Sequence, residues 1–388
     1  MTDSKKGSLE KSKMLTVKKI TSFLKAHIVL CIAVAAAVTT CFFVPPDVEY
    51  LGYFDFKTLS CLFMTLAVVC ALRNIRFFTI LARKIVTLAG NLRSLAVLLV
   101  VITFVGSMLI ANDMALITFL PIGYFALAVT GKEKHSAFLF ILQNISANLG
   151  GMLTPFGNPQ NLYLYSFFKI PTGEFTRIML FPFLLAIAML LCCCFFFKKE
   201  KLTVKEEDLG HLPVRRTVGY LLLFALSIVV VFRLIPYPIG LIVITVALLI
   251  LDRAALKAVD YPLLFTFVFF FLFAGNMSRI PAVQDFFAAL LAKNTLLVSI
   301  LSCQCISNVP SAILLSRFTT DYRALLLGVN IGGTGTLISS LASLITFSEY
   351  NTLYPGKAKR YLLLFTVLNL LFLCVMTAFC FLLLRIIP

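Results

Sequence analysis

Residues 148–161 read NLGGMLTPFGNPQN, and this stretch decides the fold. It sits inside an otherwise apolar run, 136–168, long enough to cross a bilayer. Yet Asn148, Gly150, Gly151, Thr154, Pro155, Gly157, Asn158, Pro159, Gln160 and Asn161 crowd its centre. A smooth helix facing lipid cannot hold that density of glycine, proline and amide, because the freed carbonyls and N–H groups would find no partners in hydrocarbon. The segment reads as a broken span lining a protected cavity. A second broken span is expected over 322–347, with Asn330, Gly332, Gly333, Thr334, Gly335 and Thr336 at its centre.

The surrounding chain supports a membrane setting. Of its 388 residues 60% are hydrophobic and only 13% charged, against roughly 25% charged in a soluble domain, and the mean hydropathy is +1.00. Apolar runs recur from residue 28 to residue 384 and leave no loop long enough for an extramembrane catalytic or nucleotide-binding domain. The expected fold is an all-α integral membrane protein with about nine transmembrane helices plus two re-entrant hairpins in an inverted repeat. The net charge of +17 reads as topology, not as nucleic-acid binding. Seven lysines precede the first apolar run, so 1–25 is expected to be a basic cytoplasmic N-terminus of a multi-pass plasma-membrane protein. The eleven cysteines show no paired spacing with histidine, which disfavours zinc or a disulfide framework.

Working outward, the first repeat is expected over 26–197, a cytoplasmic loop and linking helix over 198–237, and the second repeat over 238–388. Residues 77–90 and 281–293 suit interfacial helices. Within the first repeat the apolar stretch 94–130 is interrupted by Asn112 and Asp113, with Arg93 before it and Lys132 and Lys134 after. It is either a re-entrant hairpin turning at Asn112 and Asp113 or two spans with a polar outer turn. The second repeat holds the matching split run, 294–318, interrupted by Ser307, Asn308, Val309 and Pro310.

The halves then align. Asn112 corresponds to Asn308, and Asn148, Leu149, Gly150, Gly151 with Thr154 match Asn330, Ile331, Gly332, Gly333 with Thr336. The first hairpin opens from the inside and the second from the outside, the inverted-repeat signature of secondary transporters. A hairpin tip places the N-terminus of a half-helix, with its unsatisfied N–H groups, at membrane depth, where it can hold an anion. Unwound carbonyls, with oxygens of Asn112, Asn308, Thr154 and Thr336, suit a dehydrated sodium ion. The candidate ion and substrate residues are thus Asn112, Asp113, Asn148, Gly150, Gly151, Thr154, Pro155, Asn158 and Asn161 in the first half. In the second they are Ser307, Asn308, Asn330, Gly332, Gly333, Thr334 and Thr336, with sodium placed at Asn112, Asp113 and Asn308.

Four motifs in order carry a resemblance: NDMALITFLP (112–121), NLGGMLTPFGNPQN (148–161), SNVP (307–310) and GVNIGGTGTLISSLASL (328–344). Over nearly its full length the chain resembles the ion transporter superfamily that includes citrate and dicarboxylate transporters and the arsenite pump membrane subunits. In the dicarboxylate branch a Ser-Asn-Thr signature at each tip binds sodium and substrate carboxylate. This chain has Ala111, Asn112, Asp113 at one tip and Ser307, Asn308, Val309 at the other. The resemblance carries over to the two asparagines, while the Asn-Asp pair looks more like the arsenite branch. It also implies a homodimer.

Asp113 is the one carboxylate this threading places deep in the membrane, a functional candidate by default. It binds sodium, titrates as a proton carrier, or caps the half-helix beginning at Met114. Cys303 and Cys305, near the second tip, are packing cysteines or soft ligands. No histidine or second carboxylate accompanies Asp113, so enzymatic acid-base chemistry is not expected. The expectation is a secondary active transporter of a small organic or inorganic anion, citrate or another carboxylate, coupled to sodium or protons without a resident cofactor. A sodium/proton antiporter using Asp113 and an arsenite exporter are the competing readings.

Overall fold

The computed structural model describes residues 28–201 and 212–386. The basic stretch expected over 1–25, the start of the first expected span, and the loop around Lys205 lie outside the described residues.

The described chain is helical, with no strand beyond one isolated bridge between Asn91 and Lys201. Long apolar runs leave backbone polar groups no partner but one another, and the helix satisfies them within the segment. Seventeen α-helices follow in order. The first eight are α1 (Ile28–Cys41), α2 (Phe56–Asn74), α3 (Phe77–Val86), α4 (Leu92–Ile110), α5 (Asn112–Val129), α6 (Ser136–Gly150), α7 (Pro159–Phe167) and α8 (Thr172–Cys194). Beyond the undescribed loop come α9 (Val214–Val231), α10 (Tyr237–Leu251), α11 (Arg253–Lys257), α12 (Tyr261–Ser278), α13 (Pro281–Ile306), α14 (Asn308–Leu315), α15 (Tyr322–Ile331), α16 (Leu341–Leu353) and α17 (Ala358–Ile386). Among the described residues nine helices are long and apolar enough to cross a membrane. The chain is an all-α multi-pass membrane protein.

The described residues form two compact units, one made of those up to Phe54 with Asp260–Gln284, the other of those within Asp55–Val259 and from Asp285 onward. In the smaller unit α1 packs on α12. The buried Asn276 amide donates to Thr40 Oγ1 at 3.1 Å, and Arg279 binds Asp47 at 2.6 Å and Tyr53 at 3.0 Å. The Arg279 guanidinium holds the Asp47 carboxyl below the usual carboxylate range.

The larger unit is organised around α6, whose residues Leu139 to Gly150 are all buried and which packs against α4, α5, α8 and α16. Both expected split runs are helix pairs joined by a single residue. Ala111 joins α4 to α5, and Ser307 joins the end of α13 to α14. Asparagines also stand at two helix breaks near these runs. Asn91 caps α4, accepting from Ser94 N at 3.0 Å, while Asn294 breaks α13 with extended backbone and accepts from Leu297 N at 2.9 Å. An asparagine at such a place satisfies one of the orphan donors of the helix it starts.

The chain leaving α8 is strapped to the start of α4. Leu92 N donates to the Glu200 carbonyl at 2.9 Å, the Arg93 guanidinium donates to the carbonyls of Phe197 and Phe195, and Lys132 pairs with Glu200. That lysine holds the Glu200 carboxyl below its ordinary range.

Candidate functional site

Each hairpin tip is made by one residue in a conformation that L-amino acids avoid. Ala111 has φ 64° and ψ 155°, and Ser307 has φ 74° and ψ 160°. This region is essentially reserved for glycine and costs a side-chain-bearing residue about 1–3 kcal/mol. The turn reverses the chain within one residue and starts the next helix at an asparagine. Asn112 Oδ1 accepts from Asp113 N at 3.0 Å, and Asn308 Oδ1 accepts from Val309 N at 2.9 Å. Both asparagines are buried.

The broken spans meet these tips. Between α6 and α7 the chain passes through a 3₁₀ turn, Gly151–Leu153, and between α15 and α16 through another, Leu337–Ser339. Gly150 and Gly332 close the first helix of each broken span against a hairpin arm. A Cβ on Gly150 would stand 2.2 Å from the Phe104 carbonyl oxygen, and one on Gly332 would stand 2.9 Å from Cys303 Sγ. Thr154 Oγ1 donates to the Met108 carbonyl at 2.9 Å and Thr336 Oγ1 to the Gln304 carbonyl at 3.2 Å. Both acceptors lie three residues before a tip. The paired threonines therefore commit their protons to fixing hairpin against break.

At the centre the two breaks are joined by amides. Asn112 Nδ2 donates to Asn148 Oδ1 at 3.3 Å, and Ser340 Oγ donates to the same oxygen at 2.7 Å. Asn158 Nδ2 reaches Asn330 Oδ1 at 3.5 Å, and Asn330 Nδ2 donates to Asn161 Oδ1 at 2.6 Å. Asn161 Nδ2 in turn lies 3.2 to 3.3 Å from the carbonyls of Gly151, Met152 and Thr154, tying down the unwound loop. Gly333 lies beside Asn308, with room of only 3.0 Å from a would-be Cβ to Asn308 Nδ2. Pro155 is buried in the loop, and Thr334 donates to the Ile331 carbonyl.

Three buried polar atoms here have no protein partner: Asn148 Nδ2, a donor, and Asn158 Oδ1 and Gln160 Oε1, both acceptors. Buried polar groups are nearly always paired, so such a cluster marks a place for a ligand, an ion or water. Asp113 lies half-buried inside the first turn of α5, which begins at Asn112. The alternative of a cap on a helix beginning at Met114 does not match the helix start, since α5 begins at Asn112 with Ala111 at the cap position. Cys303 is buried against Gly332 while Cys305 is exposed, and among the described residues no group of three histidine, cysteine or acidic side chains could hold a metal.

The sequence reading missed four residues. Ser340 caps α16 as Asn158 precedes α7, and its place follows from continuing the match of Asn148 with Asn330 ten residues further. Gln143, fully buried, donates to Thr103 Oγ1 at 3.1 Å and the Phe119 carbonyl at 3.2 Å, holding both arms of the first hairpin to α6. Gln304 does similar work at the second, donating to the carbonyls of Gly332 and Thr334 and accepting from Thr336 N. Asn144 joins α6 to α16 through Ser343 and Thr346.

Known proteins share this chain's pattern. A family profile described as citrate transporter matches residues 14–322. An uncharacterized transporter of Methanocaldococcus jannaschii is 31% identical over 339 residues, covering 85% of this chain and 91% of that protein. The inner membrane protein YbiR of Escherichia coli is 28% identical over 286 residues, covering 71% of this chain and 74% of its own length. With the family profile spanning most of the chain, this membrane transporter belongs to the citrate transporter family.

Proposed function

We propose that the chain is a secondary active transporter of a small anion, a carboxylate such as citrate, driven by sodium or protons, and that the central amide cluster is its binding site. The observation that carries this is the agreement of the two tips. Each has a strained one-residue turn, a buried asparagine at the start of the following helix, and a glycine-rich break packed against it. The helix start supplies N–H groups and a partial positive charge to a carboxylate. The unpartnered donor Asn148 Nδ2 adds to that. The unpartnered oxygens of Asn158 and Gln160, with Asn112 and Asn308, suit a sodium ion as the coupling partner.

On this reading the two hairpins are re-entrant and belong to an inverted repeat. The first repeat covers 26–197 and the second 238–388, and alternating access moves the hairpin-bearing elements past the rest. The positive-inside bias puts the N-terminus and the strap of Lys132 and Glu200 on the cytoplasmic side of the plasma membrane. Asp113, in the first turn of the helix after the first tip, favours a second reading, a sodium/proton antiporter in which it titrates.

The test is uptake of labelled citrate into vesicles holding the purified protein, under an imposed sodium or proton gradient. N112A and N308A should each abolish uptake at unchanged protein content. Uptake equal to wild type in both would sink the site assignment, and proton movement on adding sodium without citrate would favour the antiporter.

A further inference from the structure

The two broken spans match in sequence but differ in what they offer an ion. Carrying the match of Asn148 with Asn330 and of Asn112 with Asn308 along the chain sets Asp113 opposite Val309, Asn158 opposite Ser340, Gln160 opposite Ala342 and Met108 opposite Gln304. We propose that a coupling cation binds at the first break alone, and that the Gln304 amide stands in the place of a second cation, so that the chain carries a single sodium ion per cycle. This rests on the carrier reading above and narrows its cation to the first half.

At the first break the spare groups are oxygens. Asn158 and Gln160 are buried, and Asn158 Oδ1 and Gln160 Oε1 have no protein partner. Asn158 Oδ1 lies against the break itself, 2.3 Å from a would-be Cβ on Gly151. The Gly151, Met152 and Thr154 carbonyls share the two N–H groups of one amide, Asn161, at 3.2 to 3.3 Å. Carbonyl and amide oxygens are the ligands a hard cation takes in place of water. Asp113, next to the Asn112 that bonds Asn148, brings a carboxylate to this half. A cation taken out of water needs such a counter-charge.

At the second break the same places hold donors or nothing polar. Gln304 Nε2 donates to the Gly332 and Thr334 carbonyls at 2.9 and 3.1 Å, and Ser339 Oγ lies 2.9 and 2.7 Å from those of Gly333 and Thr336. Gln304 Oε1 accepts from Thr336 N at 2.9 Å and lies 2.3 Å from a would-be Cβ on Gly335, whose φ of 120° folds the loop around the amide. The N–H edge of a carboxamide carries partial positive charge, and set on two carbonyls it meets the need that a small cation would otherwise meet. Met108, in the corresponding place of the first half, has no side-chain N–H to give. Ser340 gives its proton to Asn148 and accepts from Ala342 N, while Ala342 and Val309 have no polar side chain. A second cation would meet donors where the first meets oxygens, and no carboxylate at the position of Asp113.

Sodium bound to the purified full-length chain is counted by equilibrium dialysis with radioactive sodium, and citrate uptake is measured on vesicles from the same preparation. Wild type should bind one sodium ion per chain. Q160M, which keeps the side-chain length and removes the oxygen, and N158A should each weaken that binding roughly tenfold or more, as loss of a group around a bound metal ion does. Q304A uncaps the Gly332 and Thr334 carbonyls and should raise the count to two, with melting curves confirming that each variant is folded. Two sodium ions on the wild type, none on it, full affinity in Q160M, or a count of one in folded Q304A overturns the proposal. The carrier reading fails separately, through wild-type vesicles that take up no citrate under either a sodium or a proton gradient, whatever the sodium count.

Discussion

Ser340 Oγ stands 2.7 Å from Asn148 Oδ1, a hydrogen bond between the N-cap of α16 and the end of α6. It has a counterpart, Asn158 to Asn330, running the other way between the same two broken spans. The paired bonds are among those by which the two halves of the sequence hold each other.

Removing the Ser340 hydroxyl should be felt in both stability and uptake. Asn148 Oδ1 would keep only the 3.3 Å bond from Asn112. A buried amide deprived of its partner costs about 1–3 kcal/mol. S340A should therefore lower the melting temperature in detergent and, on the proposed reading, cut citrate uptake by roughly tenfold, as a loss of about 1.4 kcal/mol implies. Uptake matching wild type would show that this bond does not position the site.

Gly150 allows no side chain. Its would-be Cβ meets backbone at Phe104, which cannot rotate away, whereas Gly173 on α8 has open space. G150A should destabilise by about 1–3 kcal/mol through overpacking. G173A should be neutral or slightly stabilising, since alanine is the better helix former. Equal melting temperatures for the two variants would contradict the close packing of α4 on α6.

The tip conformation makes an opposite prediction. Glycine adopts the backbone of Ala111 and Ser307 freely, so A111G should melt at or above the wild-type temperature, while S307G gains the same relief but loses the Ser307 hydroxyl bond to the Ser339 carbonyl. A111V, with a branched side chain at positive φ, should melt lower. Circular dichroism melts of the three proteins in one detergent check this, and an A111G as unstable as A111V would argue against the strained turn.

The strap at Glu200 should show in a pH series. Lys132 depresses the Glu200 carboxyl below its ordinary value, so its stabilisation is present above the ordinary range and lost as pH falls through the depressed value. The melting-temperature gap between wild type and E200Q should be open at about pH 7 and close below about pH 4. A gap that widens in acid would reverse the sign of this coupling.

Much of this architecture was legible because hydrocarbon tolerates so few residue types. Asn112, Asn308 and the glycine-rich breaks stand out in apolar runs. Ser340, Gln143, Gln304 and Asn144 were harder. A serine inside LISSLAS has no unusual neighbours, and a glutamine facing another helix has the same local spacing as one facing solvent. Their importance comes from partners more than a hundred residues away, such as Asn148 for Ser340, or across a hairpin, as with Gln143 and Thr103. Thr154 and Thr336 show the converse, since the match between them was visible but the carbonyls they hold were not.

The two tips are connected. From Asn112 the contacts run to Asn148 and on to Ser340, whose neighbour Ser339 accepts through its carbonyl from Ser307 at 3.3 Å. Ser307 also reaches Asn308. A ligand that tightens one end of this chain alters the geometry at the other, and such linkage is reciprocal by necessity. On the proposed reading, the factor by which sodium raises the affinity for citrate must equal the factor by which citrate raises the affinity for sodium. Binding curves for each, measured with and without the other, should then share a single cooperativity constant.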